Sequence, residues 1–164
     1  MNIEEKLEKE MTVDQKLETL LSIRRYLKAG ISVEEDYYNS DTIMEDQDDG
    51  SYNIKADTKG RIDLFKEFQG KYDDLFEDKG IIDTYNDLSA CIRGAVAKYR
   101  DLIEDEDWDR GSYYLGKYKA ALDTVEKFED MSIENTMTIQ QLRFLSLGNE
   151  IIRELKHLNH DNPR

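Results

Sequence analysis

The chain has 164 residues, 23 Lys+Arg against 37 Asp+Glu, a formal net charge of −14 and 37% charged residues, which suits one domain and leaves little room for two. Leu, Ile, Val and Phe make up about 24% of it, above the roughly 20% below which a charged chain is usually disordered, so a modest core under wide solvated faces is expected. There is no apolar run of about 18 residues, residues 1–20 carry Glu and Lys throughout, and Cys91 is the single cysteine; a bilayer span, a signal peptide and any internal disulfide or multi-cysteine metal site are therefore not expected.

Proline is absent until Pro163, so no residue from 1 to 162 must break a helix, and turns are left to Gly, Asn, Asp and Ser. Residues 3–10 read as a short leading helix with Ile3 and Leu7 as its apolar contacts. Thr12-Val-Asp-Gln15 has the form of a capping box, in which the Thr hydroxyl and the Gln side chain satisfy free N–H groups. Val13, Leu17, Leu20, Leu21, Arg24 and Leu27 follow at helical spacing, and Gly30 sits where a left-handed C-cap belongs. Ser32-Val-Glu-Glu35 is a second capping box. Over 42–56, Asp49-Gly50 and the alternating Tyr52, Ile54 and Ala56 suggest a small β-hairpin, with an irregular loop as the other reading.

The helical period returns at Arg61. Ile62, Phe65, Phe68, Tyr72, Leu75 and Phe76 make one stripe that Gly80 ends, and Ile81 to Ile103 carry the cleanest stripe of the chain. A charged connector, residues 104–111, leads to a helix from about Ser112 to Asp130. Residues 81–130 thus read as an antiparallel helical hairpin, with Gly94 and Gly116 expected to let its two backbones approach. Ser132 and the capping box Thr138-Ile-Gln-Gln141 offer further starts. The expected fold is all-α or mostly α, five to six helices around one core, in a single acidic domain over 1–164 with 1–10 and 159–164 frayed.

The charge is uneven. Residues 1–40 carry net −3, residues 41–110 net −10 and residues 111–164 net −1. Acids on helix faces keep a protein soluble, and loops collect Asp for turn chemistry. A focused negative surface also steers towards a basic partner. On that second reading the partner-binding residues are Asp46, Asp48, Asp49, Asp73, Asp74, Glu104, Asp105, Glu106, Asp107, Trp108 and Asp109. The surplus carboxylates of Asp41 to Arg110 are expected to form one continuous anionic face. Tyr37, Tyr38, Tyr52, Tyr72, Tyr113 and Tyr114 are further aromatic contacts near charged loops, and equally good core-edge residues.

Chemistry is sparse. With Gly50 at position 6 of an EF-hand, Ala56 stands where the bidentate Glu belongs; with Asp105, Asp107 and Asp109 at 1, 3 and 5, Arg110 stands where Gly belongs. His157 and His160 lie one helical turn apart, but cations near a helix C-terminus are favourable without any metal. No nucleophile–base pairing, phosphate loop, zinc-protease motif or nucleophile elbow occurs, and Cys91 falls on an apolar helix face as inert packing. A helix-turn-helix over 138–157 would offer Arg153, Lys156 and His157 against Glu150 and Glu154, too nearly neutral for phosphate contact.

Glu4-Glu5-x-x-Glu8 with Glu106-x-x-Asp109 resembles the Mg-binding carboxylates of all-helical nucleotide pyrophosphohydrolases. The two halves lie far apart in the chain and a second paired motif is missing, so the chain is not assigned to that family. The leading expectation is a non-enzymatic, cytoplasmic interaction protein without cofactor or metal. It would bind a basic protein, such as a nucleic-acid-binding one that it inhibits, and would touch neither nucleic acid nor membrane itself. The Ile-, Lys- and Tyr-rich composition is that of low-GC bacteria and their phages. The alternatives are a helical assembly subunit that forms homo-oligomers through the hairpin face of 81–130, and a Mg-dependent nucleotide phosphohydrolase.

Overall fold

The computed structural model describes residues 11–45, 53–103, 108–136 and 147–156, and every regular element among them is helical. They form α1 (Val13–Tyr38), the single turn α2 (Thr42–Glu45), α3 (Ile54–Asp78), α4 (Ile81–Leu102), α5 (Trp108–Thr136) and α6 (147–156).

Local chemistry explains the starts. Thr12 accepts from the Gln15 backbone N–H while the Gln15 side chain accepts from that of Thr12, the reciprocal capping box expected there. At α3 the Asn53 side chain accepts from the Ala56 N–H at 2.9 Å, and Asp57 lies in the first turn at the positive end of the helix. This cap corrects the β-hairpin reading of 42–56. Thr42–Glu45 and everything from Ile54 onward are helical, because an Asn cap followed by a long periodic segment outweighs three alternating residues. The Asp49-Gly50 turn lies outside the described residues.

An expected stop and an expected start are also corrected. Gly30 does not cap α1, which runs on to Tyr38 through Gly30 and through the unused box Ser32–Glu35. A Cβ at Gly30 would stand 3.0 Å from the Phe65 ring, so the glycine admits a neighbouring side chain rather than ending the helix. Ser132 likewise lies inside α5, buried, with its hydroxyl 2.8 Å from that of Tyr85. The Gly80 break is where expected: Lys79 closes α3 and Gly80 is the N-cap of α4.

The side-chain contacts give the topology. Gly30 against Phe65, and Arg61 against Glu34, put the end of α1 beside the start of α3. Thr84 donating to the Leu75 carbonyl ties the end of α3 to the start of α4. Gln15 donating to the Thr136 carbonyl sets the end of α5 beside the start of α1. The four long helices therefore alternate up and down, with α1 parallel to α4 and α3 parallel to α5. Leu20, Ile23 and Leu27 of α1 meet Leu64, Phe65, Phe68 and Tyr72 of α3, Leu88 and Ile92 of α4, and Ala120, Ala121 and Phe128 of α5 in one apolar core.

The hairpin of α4 and α5 is present, and α5 extends past its expected end to Thr136. The close backbone approach, however, joins α5 to α3. A Cβ at Gly116 would fall 2.0 Å from the Asp57 carbonyl oxygen, and one at Gly60 would fall 2.0 Å from that of Tyr113. Gly94, expected to serve this purpose, faces open space. Ser112 and Gly116 meet the start of α3, and Ala120 and Thr124 continue the same i, i+4 strip of small buried residues along α5.

On α6, Leu147, Ile151, Ile152 and Leu155 are each about half exposed and lie outside the core. Among the described residues no helix is long and apolar enough to cross a membrane. Residues 3–10, the box at Thr138, His157 and His160 lie outside the described residues.

Candidate functional site

Of the expected contact residues, Asp73 and Asp74 are described in full and both are exposed on the last turns of α3. Trp108 and Asp109 open α5, with side chains outside the described part. Asp46, Asp48, Asp49, Glu104, Asp105, Glu106 and Asp107 lie outside the described residues, as do Glu4, Glu5 and Glu8. Among the described residues no group of three or more His, Cys, Asp or Glu is placed to hold a metal ion. Cys91 is half-buried, and burial pushes its thiol up, away from the reactive thiolate.

Among the described residues, two sets of acids stand out in the middle segment. The first lines the α3–α5 seam, from buried Asp57 to the more open Glu67. Asp57, 3% exposed, accepts from Arg61 Nε at 2.8 Å and from Lys119 Nζ at 3.4 Å. Asp63 accepts from the Tyr113 hydroxyl at 2.6 Å and pairs with Lys59 at 2.9 Å. Burial would raise the Asp63 carboxyl, but those two hydrogen bonds and the Lys59 charge outweigh it and hold the group below its ordinary value. Glu67 accepts from the Tyr99 hydroxyl at 2.8 Å and from Lys117 Nζ at 2.5 Å. Lys117, 7% exposed, is also flanked by the rings of Tyr99 and Tyr113, with its ammonium 4.8 and 5.1 Å from their centroids. Burial and the hydrogen bonds to Glu67 and Asp63 push both phenols well above their usual range.

These three carboxylates each have a cationic partner, so they are withdrawn from the surplus of acid over base in residues 41–110. The amphipathic period of α3 turns them towards its neighbours, where Lys117, Lys119 and Tyr113 of α5 and Tyr99 of α4 meet them. Tyr72, Tyr113 and Tyr114, read as contact anchors or core-edge residues, prove to be the latter. Tyr72 is buried, and the Tyr113 and Tyr114 rings pack at 5.5 Å beside Tyr99.

The second set gathers where α3 turns into α4. Asp73, Asp74, Glu77, Asp78 and Asp83 are all exposed, and none lies within ion-pair distance of a cation among the described residues. The stretch 71–87 holds Lys71 and Lys79 against six acids, and Lys79 is engaged by Asp87 at 2.5 Å. Two large apolar side chains stand at the same corner, Phe76 at 42% exposure and Ile82 at 47%. Sequence pattern placed Phe76 on the buried stripe; it stands at the stripe's edge, one turn after Tyr72, and stacks on that ring with 5.6 Å between centroids and 7° between planes. Ile82 had no periodic signal to mark it, because exposure on a first turn depends on where the neighbouring helices end. Thr84 braces the corner from below through its buried hydroxyl bond to the Leu75 carbonyl.

The chain matches no protein-family model, no curated protein and no solved structure. What the coordinates define is a class by architecture alone: an acidic, antiparallel helical bundle with a polar seam between its two parallel helices α3 and α5.

Proposed function

We propose that this protein is a non-enzymatic, acidic interaction protein that docks on a positively charged protein surface through the α3–α4 corner. One observation carries the reading: five exposed carboxylates that form no ion pair among the described residues, Asp73, Asp74, Glu77, Asp78 and Asp83, flank a turn that also exposes Phe76 and Ile82. Unpaired surface charge accelerates encounter with an opposite surface, and exposed large apolar groups add area to bury on contact. A nucleic-acid-binding protein, with its basic groove, is the partner class such a surface suits, and occupancy of that groove would inhibit it. The low-GC composition fits a phage-borne inhibitor in the bacterial cytoplasm.

The test is capture of basic bacterial proteins on immobilised chain at low and at physiological ionic strength, alongside the variant Asp73→Lys/Asp74→Lys. Binding that weakens steeply with salt and is abolished by the charge reversal is expected. Capture unaffected by either change would overturn the reading. The exposed stripe Leu147, Ile151, Ile152 and Leu155 on α6 favours a second reading, a self-associating helical subunit. Sedimentation of the full chain separates the two, since an apolar self-interface persists as salt rises.

A further inference from the structure

We infer that the partner met at the α3–α4 corner presents an apolar side chain framed by Lys and Arg, as a basic amphipathic helix does, and not a uniformly cationic groove. The inference rests on the docking reading above and adds the chemistry of the occupant. Phe76 and Ile82 stand on opposite sides of the Lys79–Gly80 turn, at one end of the bundle. Phe76 is held in place from beneath, because Tyr72 is only 2% exposed and the two rings lie nearly parallel. An anchor whose conformation is already set loses little freedom on binding.

The rim around this pair specifies the charge of what covers it. Glu77 and Asp78 occupy the last turn of α3, which contains no basic residue, and there they meet the negative end of the helix. Like charge against that end destabilises the free protein, and Asp73 and Asp74 add to the repulsion, while Asp83 sits at the favourable N-terminal end of α4 and completes the acidic rim. Cations from a partner would relieve all of it at once. A second copy of the chain is a poor occupant, since it would set one such rim against another. A purely electrostatic imitation of a phosphate backbone leaves Phe76 and Ile82 exposed for no purpose.

The test uses the full chain and two synthetic probes of equal length and net charge. One is a helical peptide with Leu on one face and Lys and Arg on the other; the other is oligolysine. At physiological ionic strength the amphipathic probe is expected to bind about tenfold tighter or more, from burial of the two anchors. Phe76→Ala/Ile82→Ala should erase that preference and leave weak, salt-labile binding of both probes. Glu77→Gln/Asp78→Asn should weaken both probes while raising the thermal midpoint of the free protein. Equal affinity of the two probes, unchanged by the alanine pair, overturns the inference and leaves a charge-only docking surface standing. Failure of both probes to bind even at low salt overturns the docking reading itself.

Discussion

Lys117 shows how the α3–α5 seam is held. Its ammonium is buried, 2.5 Å from Glu67 and enclosed by the rings of Tyr99 and Tyr113. Removing one member of a buried pair usually costs more than the pair contributes, because the partner is left without its counter-charge. Glu67, however, is itself partly open to water and keeps the Tyr99 hydroxyl. Lys117→Ala should therefore destabilise the protein by about 3 kcal/mol, from cavity and charge together. Lys117→Met, which refills the volume, should cost less than half of that; urea denaturation of both variants measures the difference. The same seam should appear in an alkaline titration. Tyr99 and Tyr113 have raised folded pKa values, so the stability they contribute is full below the ordinary phenol value and declines as pH climbs through the raised ones. Followed by ultraviolet absorbance, both should ionise later than the exposed tyrosines, and Asp63→Asn should bring Tyr113 back towards the rest.

Between helices, the decisive contact is the reciprocal glycine crossing. The Cα–H of Gly60 faces the Tyr113 carbonyl and that of Gly116 faces the Asp57 carbonyl, so each helix serves as the other's wall. A methyl at either position would collide with backbone rather than with a yielding side chain. Gly116→Ala should cost about 3 kcal/mol or more, whereas Gly94→Ala, which faces open space, should stabilise by up to about 1 kcal/mol through helix propensity. Thermal unfolding of the two variants should thus shift in opposite directions. Much of the helical pattern was legible beforehand, since the stripes at 62–75 and 81–103 and the Thr12 box depend on neighbours within a turn or two. Gly30 shows the limit. As a local signal it ends a helix, but against Phe65 its missing side chain is room for a ring. The i, i+4 strip Ser112, Gly116, Ala120 and Thr124 was the available sign of the α3–α5 crossing, and small residues carry no hydrophobic signal to draw notice.

For the molecule as a whole, a net charge of −14 means that self-repulsion opposes the folded state. Raising ionic strength from low to physiological should move the urea midpoint upward, because long-range repulsion is screened while the buried seam is little affected. A downward shift would show that exposed ion pairs such as Lys66–Glu35 dominate instead. Acid should act through the seam. The Asp63 carboxyl has a lowered folded pKa, so its contribution is present above the ordinary carboxyl value of about 4 and is lost as pH falls through the lowered one. Asp63→Asn should flatten that part of the stability-versus-pH curve, measured by circular dichroism across the acid range. The candidate corner was legible only in part. The run 73–78 was marked by charge density, whereas Asp83 joins it because α3 stops and α4 starts where they do.

Sequence alone determined that this chain is helical, where α1 begins, and which faces of α3 and α4 are apolar, because these follow from side-chain periodicity and capping over a few residues. It determined the excess of acid over base but not its disposition. Only the tertiary structure decided that Asp57, Asp63 and Glu67 find partners on α4 and α5 while the acids near Gly80 have no ion pair among the described residues. The physical reason is that a carboxylate's role depends on which groups stand within a few ångströms of it: Lys59 and Arg61 lie one turn away, but Lys117, Lys119, Tyr99 and Tyr113 come from segments far away along the chain.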